Sequence, residues 1–361
     1  MPKHIIIDAR VCDGRVHGIS RVSEQLLKHL LALDDDHRYT ILCANDYCDS
    51  ILPVKSNVSL YMTDAKLYSL REQIDLPRVL NTLKPDLFYS PTFTAPYFAP
   101  CPVLVHIHDL IPMIFPAFFP FKYKPYYRFI VKPLARKADR IITCSENSRA
   151  DIARLCRVDA GKISVVYNAG FTPDEQKRQC SVEGLRPGYV LFVGNEMPHK
   201  NFINAVHAYA KARFRITGRF IQMAAVGISK DFYKQSEVKS IPDIYCMKYV
   251  PPGELLSLYE NASALFFPSL YEGFGIPPVE AMMHGVPVVS SNCSSIPEVL
   301  GDAYTAVDPN DVDSMADGLY NTIENNELRK RLEKKGFEQV KKYSWTKSAE
   351  KLLTIFREML S

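Results

Sequence analysis

Residues 264–289 read ALFFPSLYEGFGIPPVEAMMHGVPVV. ALFFPS is a short continuous apolar run with the signature of a buried strand. The loop LYEGFG follows, and then a helix, with proline tolerated at its start. That helix runs through Met283 and stops near Gly285, where VPVV opens the next strand. Strand, helix and strand in this order form a βαβ unit of a parallel sheet. The loop at 271–280 therefore lies at the carboxyl end of a strand, where open α/β sheets bind ligands.

The same alternation runs outward in both directions. HIIIDA (4–9), YTILCA (39–44), LFYSP (87–91), VLVHIHD (103–109), RIITCS (140–145) and ISVVYN (163–168) read as strands, and GISRVSEQLLKHLLAL (18–33) reads as a helix. Their continuous Val and Ile runs indicate strands covered on both faces. Residues 173–187, PDEQKRQCSVEGLRP, are polar, aperiodic and bounded by prolines, as a linker is. A second series follows: strands YVLFVG (189–194), RFIQMAAVG (219–227), ALFFPS (264–269) and VPVVSS (286–291), with helices over 201–212 and 253–261. The fold class is α/β, with two doubly wound domains at 1–172 and 188–344. Helix 327–342 is charged and expected to be solvated. A last helix over 345–361 carries one apolar stripe of Leu352, Leu353, Ile355, Phe356 and Leu360.

The chain has 361 residues, enough for about two domains, and is 47% hydrophobic. A formal charge of +4 argues against a dedicated nucleic-acid binder. The amino-terminal apolar run is too short for a signal peptide, and no stretch approaches the roughly 18 apolar residues of a membrane span. Nine scattered cysteines, without metal-site spacing, read as reduced thiols of a cytoplasmic protein. A nicotinamide dehydrogenase is disfavoured, because no G-x-G-x-x-G follows HIIIDA.

In the opening stretch, Gly273 and Gly275 let backbone N–H groups approach a ligand closely, beside a helix N-terminus that favours an anion such as a diphosphate. Glu280 is placed in the first helical turn, where a carboxylate can complement the helix dipole or accept hydrogen bonds from two ribose hydroxyls. Glu272, in an exposed loop, is either an ordinary surface charge or an acceptor for the hydroxyls of a second sugar. Together they suggest a nucleoside-diphosphate sugar, with ribose at Glu280, phosphates at the loop amides and hexose at Glu272. Lys200 stands after a strand, at a helix start where the dipole disfavours a cation. An ammonium there can stabilise the charge on a departing diphosphate.

E-x7-E around GFG, followed by P-P-V-E-A-M-x-x-G-x-P-V-V, resembles glycosyltransferase family 4. The resemblance takes in SSNCSSIPEVLGDAYTAVDPND (290–311), YVPPGELLSLYENASALFFPSLYEGFG (249–275), VGNEMPHKN (193–201), HGISR (17–21) and IHDLIP (107–112), and so spans most of the chain. The family resemblance implies the GT-B architecture of two facing Rossmann-like domains, the first binding acceptor and the second binding a nucleotide sugar. It implies that the last helix crosses back to the first domain. It further implies retaining transfer without a metal, front-face attack, and a departing phosphate that takes the acceptor's proton. His108 would contact the donor hexose, with His106 two residues earlier as a competitor for that role and Asp109 as its orienter or a turn cap. Catalytic roles then fall to His108, Lys200 and Glu272. Donor contacts fall to Gly18, Arg21, Asn195, His199, Lys200, Tyr249, Val250, Glu272, Gly273, Phe274, Gly275 and Glu280, with amides of Ile19 and Ser20 facing the phosphates. The family often carries an arginine where Asn195 and Glu196 stand here, so His199 or Arg21 is the candidate second cation. HGISR and IHDLIP most resemble mannosyltransferases of bacterial surface-polysaccharide assembly.

The expected reaction moves a hexose, foremost mannose from GDP-mannose, to a hydroxyl of a glycan or lipid-linked acceptor, with no cofactor and no metal. A UDP-sugar donor, a nucleotide-sugar epimerase of related fold and a sugar-nucleotide-binding module with a decayed site are the competing readings. FFPFKYKPYYRFIVKPLARKADR (118–140) sets Lys and Arg among Phe and Tyr. It reads either as a solvated helix face or as a patch that docks on anionic lipid, on the inner face of the plasma membrane.

Overall fold

The central strands of both sheets, such as HIIID, LFYS, VLVH and ALFF, are buried along their length, which helices on both sides of a sheet achieve. The computed structural model describes residues 2–14, 18–171, 182–216, 218 and 220–361. It divides into Met1–Asn168 with Ser344–Ser361, and Ala169–Tyr343. Of the expected linker, 173–181 lie outside the described residues.

The first unit holds seven parallel strands: β1 (His4–Asp8), β2 (Arg38–Cys43), β3 (Val58–Met62), β4 (Leu87–Ser90), β5 (Val103–His106), β6 (Arg140–Thr143) and β7 (Ile163–Val165). Their order is β3-β2-β1-β4-β5-β6-β7, so the chain reverses its direction of winding between β1 and β4. Ile5, Ile6 and Ile7 of β1 are completely buried. The amphipathic helix Gly18–Leu33 packs against the last helix, Trp345–Leu360. That last helix buries Leu352, Leu353, Ile355 and Phe356 within this unit, with the Phe356 ring edge-on to Tyr89 at 5.5 Å. Ser348 Oγ also donates to the Tyr167 carbonyl.

The second unit repeats the plan with β8 (Tyr189–Val193), β9 (Met223–Val226), β10 (Ile244–Met247), β11 (Ala262–Phe267), β12 (Val288–Ser291) and β13 (Thr305–Val307), in the order β10-β9-β8-β11-β12-β13. The winding reverses between β8 and β11. This unit begins at Ala169, ahead of the expected boundary. Gly170 lies against the helix Ile276–Met283, where an added Cβ would stand 2.4 Å from Met283 Sδ. Helix Asn326–Val340 is solvated on one side only; it packs on the helix Ile276–Met283, with Gly336 against Met282. The strands β3, β10 and β13, absent from the sequence reading, all stand at sheet edges.

Phe356→Ala is expected to destabilise the first unit by about 3–5 kcal/mol, as for other buried aromatics cut to alanine. The single tryptophan, Trp345, belongs to the same unit and is buried, so its fluorescence during urea unfolding reads the change directly.

Candidate functional site

Two loops leave the carboxyl ends of the neighbouring strands β8 and β11, at the switch point of the second sheet. The β8 loop passes through Asn195, whose side chain accepts from the Met197 amide, and closes in a 3-10 turn over Pro198–Lys200. Asn201 follows with φ of 62°, in the left-handed region that asparagine tolerates. Its amide nitrogen donates to the carbonyls of Pro268 (3.0 Å) and Pro309 (2.7 Å), which ties this loop to the end of β11. Gly227, after β9, has φ of 89° and lies so close to the Gly194 carbonyl that a Cβ would stand 2.2 Å from it.

The β11 loop carries Glu272, which is buried rather than exposed as the sequence suggested. The cause lies in serines at the end of β12 and just after it. Ser291 Oγ donates to the Ser269 carbonyl and Ser295 Oγ to the Glu272 carbonyl, while the Glu272 amide donates to Ser294 Oγ. So held, Glu272 meets Lys200: Nζ to Oε1 is 2.7 Å, with side chains only 17% and 10% exposed. Lys200 therefore does not face solvent, and its charge is balanced across the switch point.

Gly275 has φ of 93°, and a Cβ there would meet Ile296 Cδ1 at 2.7 Å, so the turn into the helix Ile276–Met283 requires glycine. Gly273 is buried beside it. The Phe274 ring packs edge-on against Tyr343 at 5.3 Å, which leaves that residue's backbone, not its ring, to meet a ligand. Glu280 is in the second turn of the helix, not the first, because the helix starts at Ile276. It is buried, and its Oε2 accepts from the Tyr259 hydroxyl at 2.7 Å, so dipole complementation does not account for it. Val250 is buried and Tyr249 exposed, after β10.

His199, a candidate second cation, adjoins Lys200. Burial, and then the neighbouring Lys200, lower its pKa to about 4, so its imidazole is neutral near pH 7. Glu196 is ionised. Lys248 and the Ser229 hydroxyl and amide hold its pKa at about 2, and its Oε1 lies 2.9 Å from Lys248 Nζ.

His108, with Gly18 and Arg21, belongs to the first unit. It stands two residues beyond the end of β5, with Nε2 at 3.1 Å from the Pro91 carbonyl. A carbonyl only accepts, so Nε2 carries the proton and Nδ1 is the free acceptor of the neutral ring. Burial lowers the His108 pKa to about 4, with the Pro91 bond acting weakly the other way. His106 stacks on it at 3.8 Å; burial and then His108 keep His106 neutral too. Asp109 accepts from the Ile111 amide, capping the next turn. The helix from Gly18 to Leu33 opens with Gly18, Ile19 and Ser20 in its first turn. Space around Gly18 is open, and Arg21 is half-buried. His17 lies outside the described residues.

Sequence reasoning missed Tyr259, Asn201 and the buried group at the end of β1. There Arg10 bonds Asp8 (2.5 and 2.7 Å), Glu72 (2.6 Å) and the Ala65 carbonyl. Asp8 and Arg10, two apart at a strand end, were the only visible signal of this cluster. Among the described residues no group of three His, Cys, Asp or Glu could hold a metal ion, and no helix is long and apolar enough to cross a membrane.

This pair of sheets and these loops are those of a glycosyltransferase. Residues 16–169 match the model of the Glycosyltransferase Family 4 domain, and residues 173–339 that of Glycosyl transferases group 1. The chain belongs to this glycosyltransferase family. It is similar to the O-antigen chain mannosyltransferase B of Escherichia coli, at 28% identity over 94% of this chain and 96% of the relative. Similarity to the O-antigen chain mannosyltransferase RfbU of Salmonella typhimurium strain LT2 is 31% over 60% of each chain. Among solved structures, WaaG, a glycosyltransferase involved in lipopolysaccharide biosynthesis, superposes with a TM-score of 0.72 at 13% identity, over 98% of this chain and 99% of that one, which shows the GT-B fold.

Both buried histidines are neutral in the folded protein, while unfolded histidine titrates near 6.5. A depressed histidine pKa gives stability that is full above the unfolded value and is lost as pH falls toward the folded one. The first unit should therefore lose stability between pH 6.5 and about 4, by roughly 3 kcal/mol from His108 alone. Urea unfolding followed at Trp345 across that range checks it, and His108→Gln should flatten the slope.

Proposed function

We propose that the chain is a retaining hexosyltransferase of surface-polysaccharide assembly, moving mannose from GDP-mannose to a hydroxyl of a glycan or lipid-linked acceptor. The observation that carries this reading is the Lys200–Glu272 pair, set at the switch point beside a glycine turn and a helix start. A nucleoside diphosphate brings an anion that can replace Glu272 as the partner of Lys200. The released carboxylate is then an acceptor for sugar hydroxyls. Glu280, whose Oε2 accepts from Tyr259, is the carboxylate that takes the ribose hydroxyls in this reading. Amides around Gly273–Gly275 meet the phosphates, with Asn195, His199, Tyr249 and Val250 around the nucleoside and phosphates. Relatives that bear mannosyltransferase names support mannose as the sugar.

In the reaction, the bond from the anomeric carbon to the β-phosphate oxygen breaks and the acceptor oxygen bonds to that carbon from the same face. The acceptor's proton passes to the departing phosphate. Lys200 and the loop amides stabilise the growing negative charge. His108, neutral with a free Nδ1, is suited to accept a hydrogen bond from a hexose hydroxyl rather than to carry charge. Gly18, Arg21 and the first-turn amides are the first unit's contribution to binding the anion. No cofactor or metal takes part in this scheme.

A thermal-shift panel of nucleoside diphosphates and their sugars tests the donor, since a ligand raises Tm as its excess over Kd grows. GDP and GDP-mannose should stabilise most; a larger shift with UDP-sugars would reassign the base. Glu280→Ala should raise donor KM about tenfold or more, the loss of hydrogen bonds to a charged acceptor. Lys200→Ala should lower kcat about a hundredfold. Unchanged kinetics in both would sink the assignment.

The basic and aromatic segment 118–140 supports docking on an anionic membrane surface, since Phe121 is 85% exposed among its lysines. Liposome sedimentation with vesicles containing phosphatidylglycerol checks this. Wild type should co-sediment, and the Lys122→Gln/Lys124→Gln/Arg128→Gln variant should stay in solution.

A further inference from the structure

The first unit carries a cavity of about 550 Å³ that the transfer scheme does not use. Lys124, Arg128, Lys132 and Arg136 line it at four-residue intervals, and Arg157 joins them from the end of the helix Glu146–Cys156. No carboxylate lines it, and none of the five cations has an ion pair among the described residues. Arg136 Nε donates to the Cys156 carbonyl at 2.8 Å, which fixes one of the five in place.

The backbone is built for this row of charge. A four-residue spacing overshoots an α-helical turn of roughly 3.6 residues, so such a row should drift around the helix. Here the helical stretch changes form midway: Tyr123–Tyr126 and Lys132–Lys137 are α-helical, but Tyr127–Val131 is a π turn. A π turn is wider, takes up the overshoot and keeps the four cations on the cavity side. Such turns are rare and concentrate at functional sites. The row is costly on its own, because like charges four apart on a helix destabilise it by about 0.2–0.5 kcal/mol per pair. An anion among them reverses the sign of each contact.

The remaining wall is apolar. Phe129, 65% exposed, and Met113 stand beside the cations, so an occupant with a charged head and a hydrocarbon body fits both halves. We propose that this cavity binds the phosphate or diphosphate head of an amphiphilic ester, a phosphoryl group carried on a hydrocarbon chain. Its volume suits a diphosphate with the first part of that chain. That the amphiphile is the acceptor rests on the proposed transfer; the phosphate site itself does not.

Calorimetric titration of the full chain tests it with three probes: inorganic pyrophosphate, farnesyl diphosphate and farnesol. The chain carries Lys200→Ala, so that the second unit's cation does not compete. Farnesyl diphosphate should bind at least tenfold more tightly than pyrophosphate, and farnesol should not bind measurably. Arg128→Gln/Lys132→Gln should weaken farnesyl diphosphate binding at least tenfold, with the Trp345 unfolding midpoint unchanged. Arg157→Gln, on a separate helix, should weaken it severalfold and serves if the double variant fails to fold. Undiminished binding in both variants, or farnesol binding as tightly as its diphosphate, overturns the proposal. Equal affinity for pyrophosphate and farnesyl diphosphate leaves a free-phosphate site and overturns the amphiphile. Donor binding in the thermal-shift panel is a separate readout, so a failure of the transferase reading does not mimic a failure here.

Discussion

The ion pair between Lys200 and Glu272 is the contact on which the arrangement of the second unit turns. Neither charge is well solvated, and each side chain hangs from a loop at the carboxyl end of a different strand. A pair of this kind tolerates loss of one partner badly, because the survivor is left buried and unmatched. The chain therefore fixes both loops. Asn201 ties the lysine loop to the end of β11, and the serines after β12 grip the backbone of the glutamate loop on both sides of its peptide. In the transfer proposed above, the same restraint would let a ligand phosphate take the place of one carboxylate between two loops already held in position.

The two switch points illustrate how one topology can be used in opposite ways. At the end of β1, Arg10 is completely enclosed. Burial alone would lower its pKa, but Asp8 and then Glu72 more than offset this, and its pKa is raised. Two carboxylates and a carbonyl take four bonds from its guanidinium, deep inside the unit. At the end of β8, Lys200 keeps one carboxylate partner and a fraction of its surface. The first arrangement is a structural rivet, whereas the second can change partners.

Much of this was legible in the sequence, for identifiable reasons. Central strands such as HIIID and ALFF are covered on both faces, so they must be continuously apolar, and that pattern is visible without any tertiary context. Edge strands are not so constrained. In β3 no residue is fully buried, and Ser59, Leu60 and Met62 are exposed, so VSLYM shows neither alternation nor a run. The residues Lys200, Glu272 and Glu280 could be picked out because glycine, proline and charge sit together at strand ends. Their surroundings could not. Whether Glu272 is exposed depends on serines some twenty positions later, and whether Glu280 is solvated depends on Tyr259 in another helix. Such long-range hydrogen bonds leave no local periodicity to read.

Neutral histidines follow from the same logic. His106, His108 and His199 all lie where strands or their loops end inside the protein, and burial dominates each of their shifts. A cation at His199 would stand beside Lys200, and one at His108 would stack against a second imidazole. Each would place a charge where the imidazole is buried. A cluster of cations without ion pairs among the described residues stands instead in the surface cavity around Arg128, Lys132 and Arg157, where solvent screens it. The positive charge of Lys200 is thus paired with a buried carboxylate, and positive charge at the cavity is multiple and without ion pairs among the described residues. That difference separates a cation whose carboxylate partner an anion must displace from a cluster that an anion can enter without displacing one.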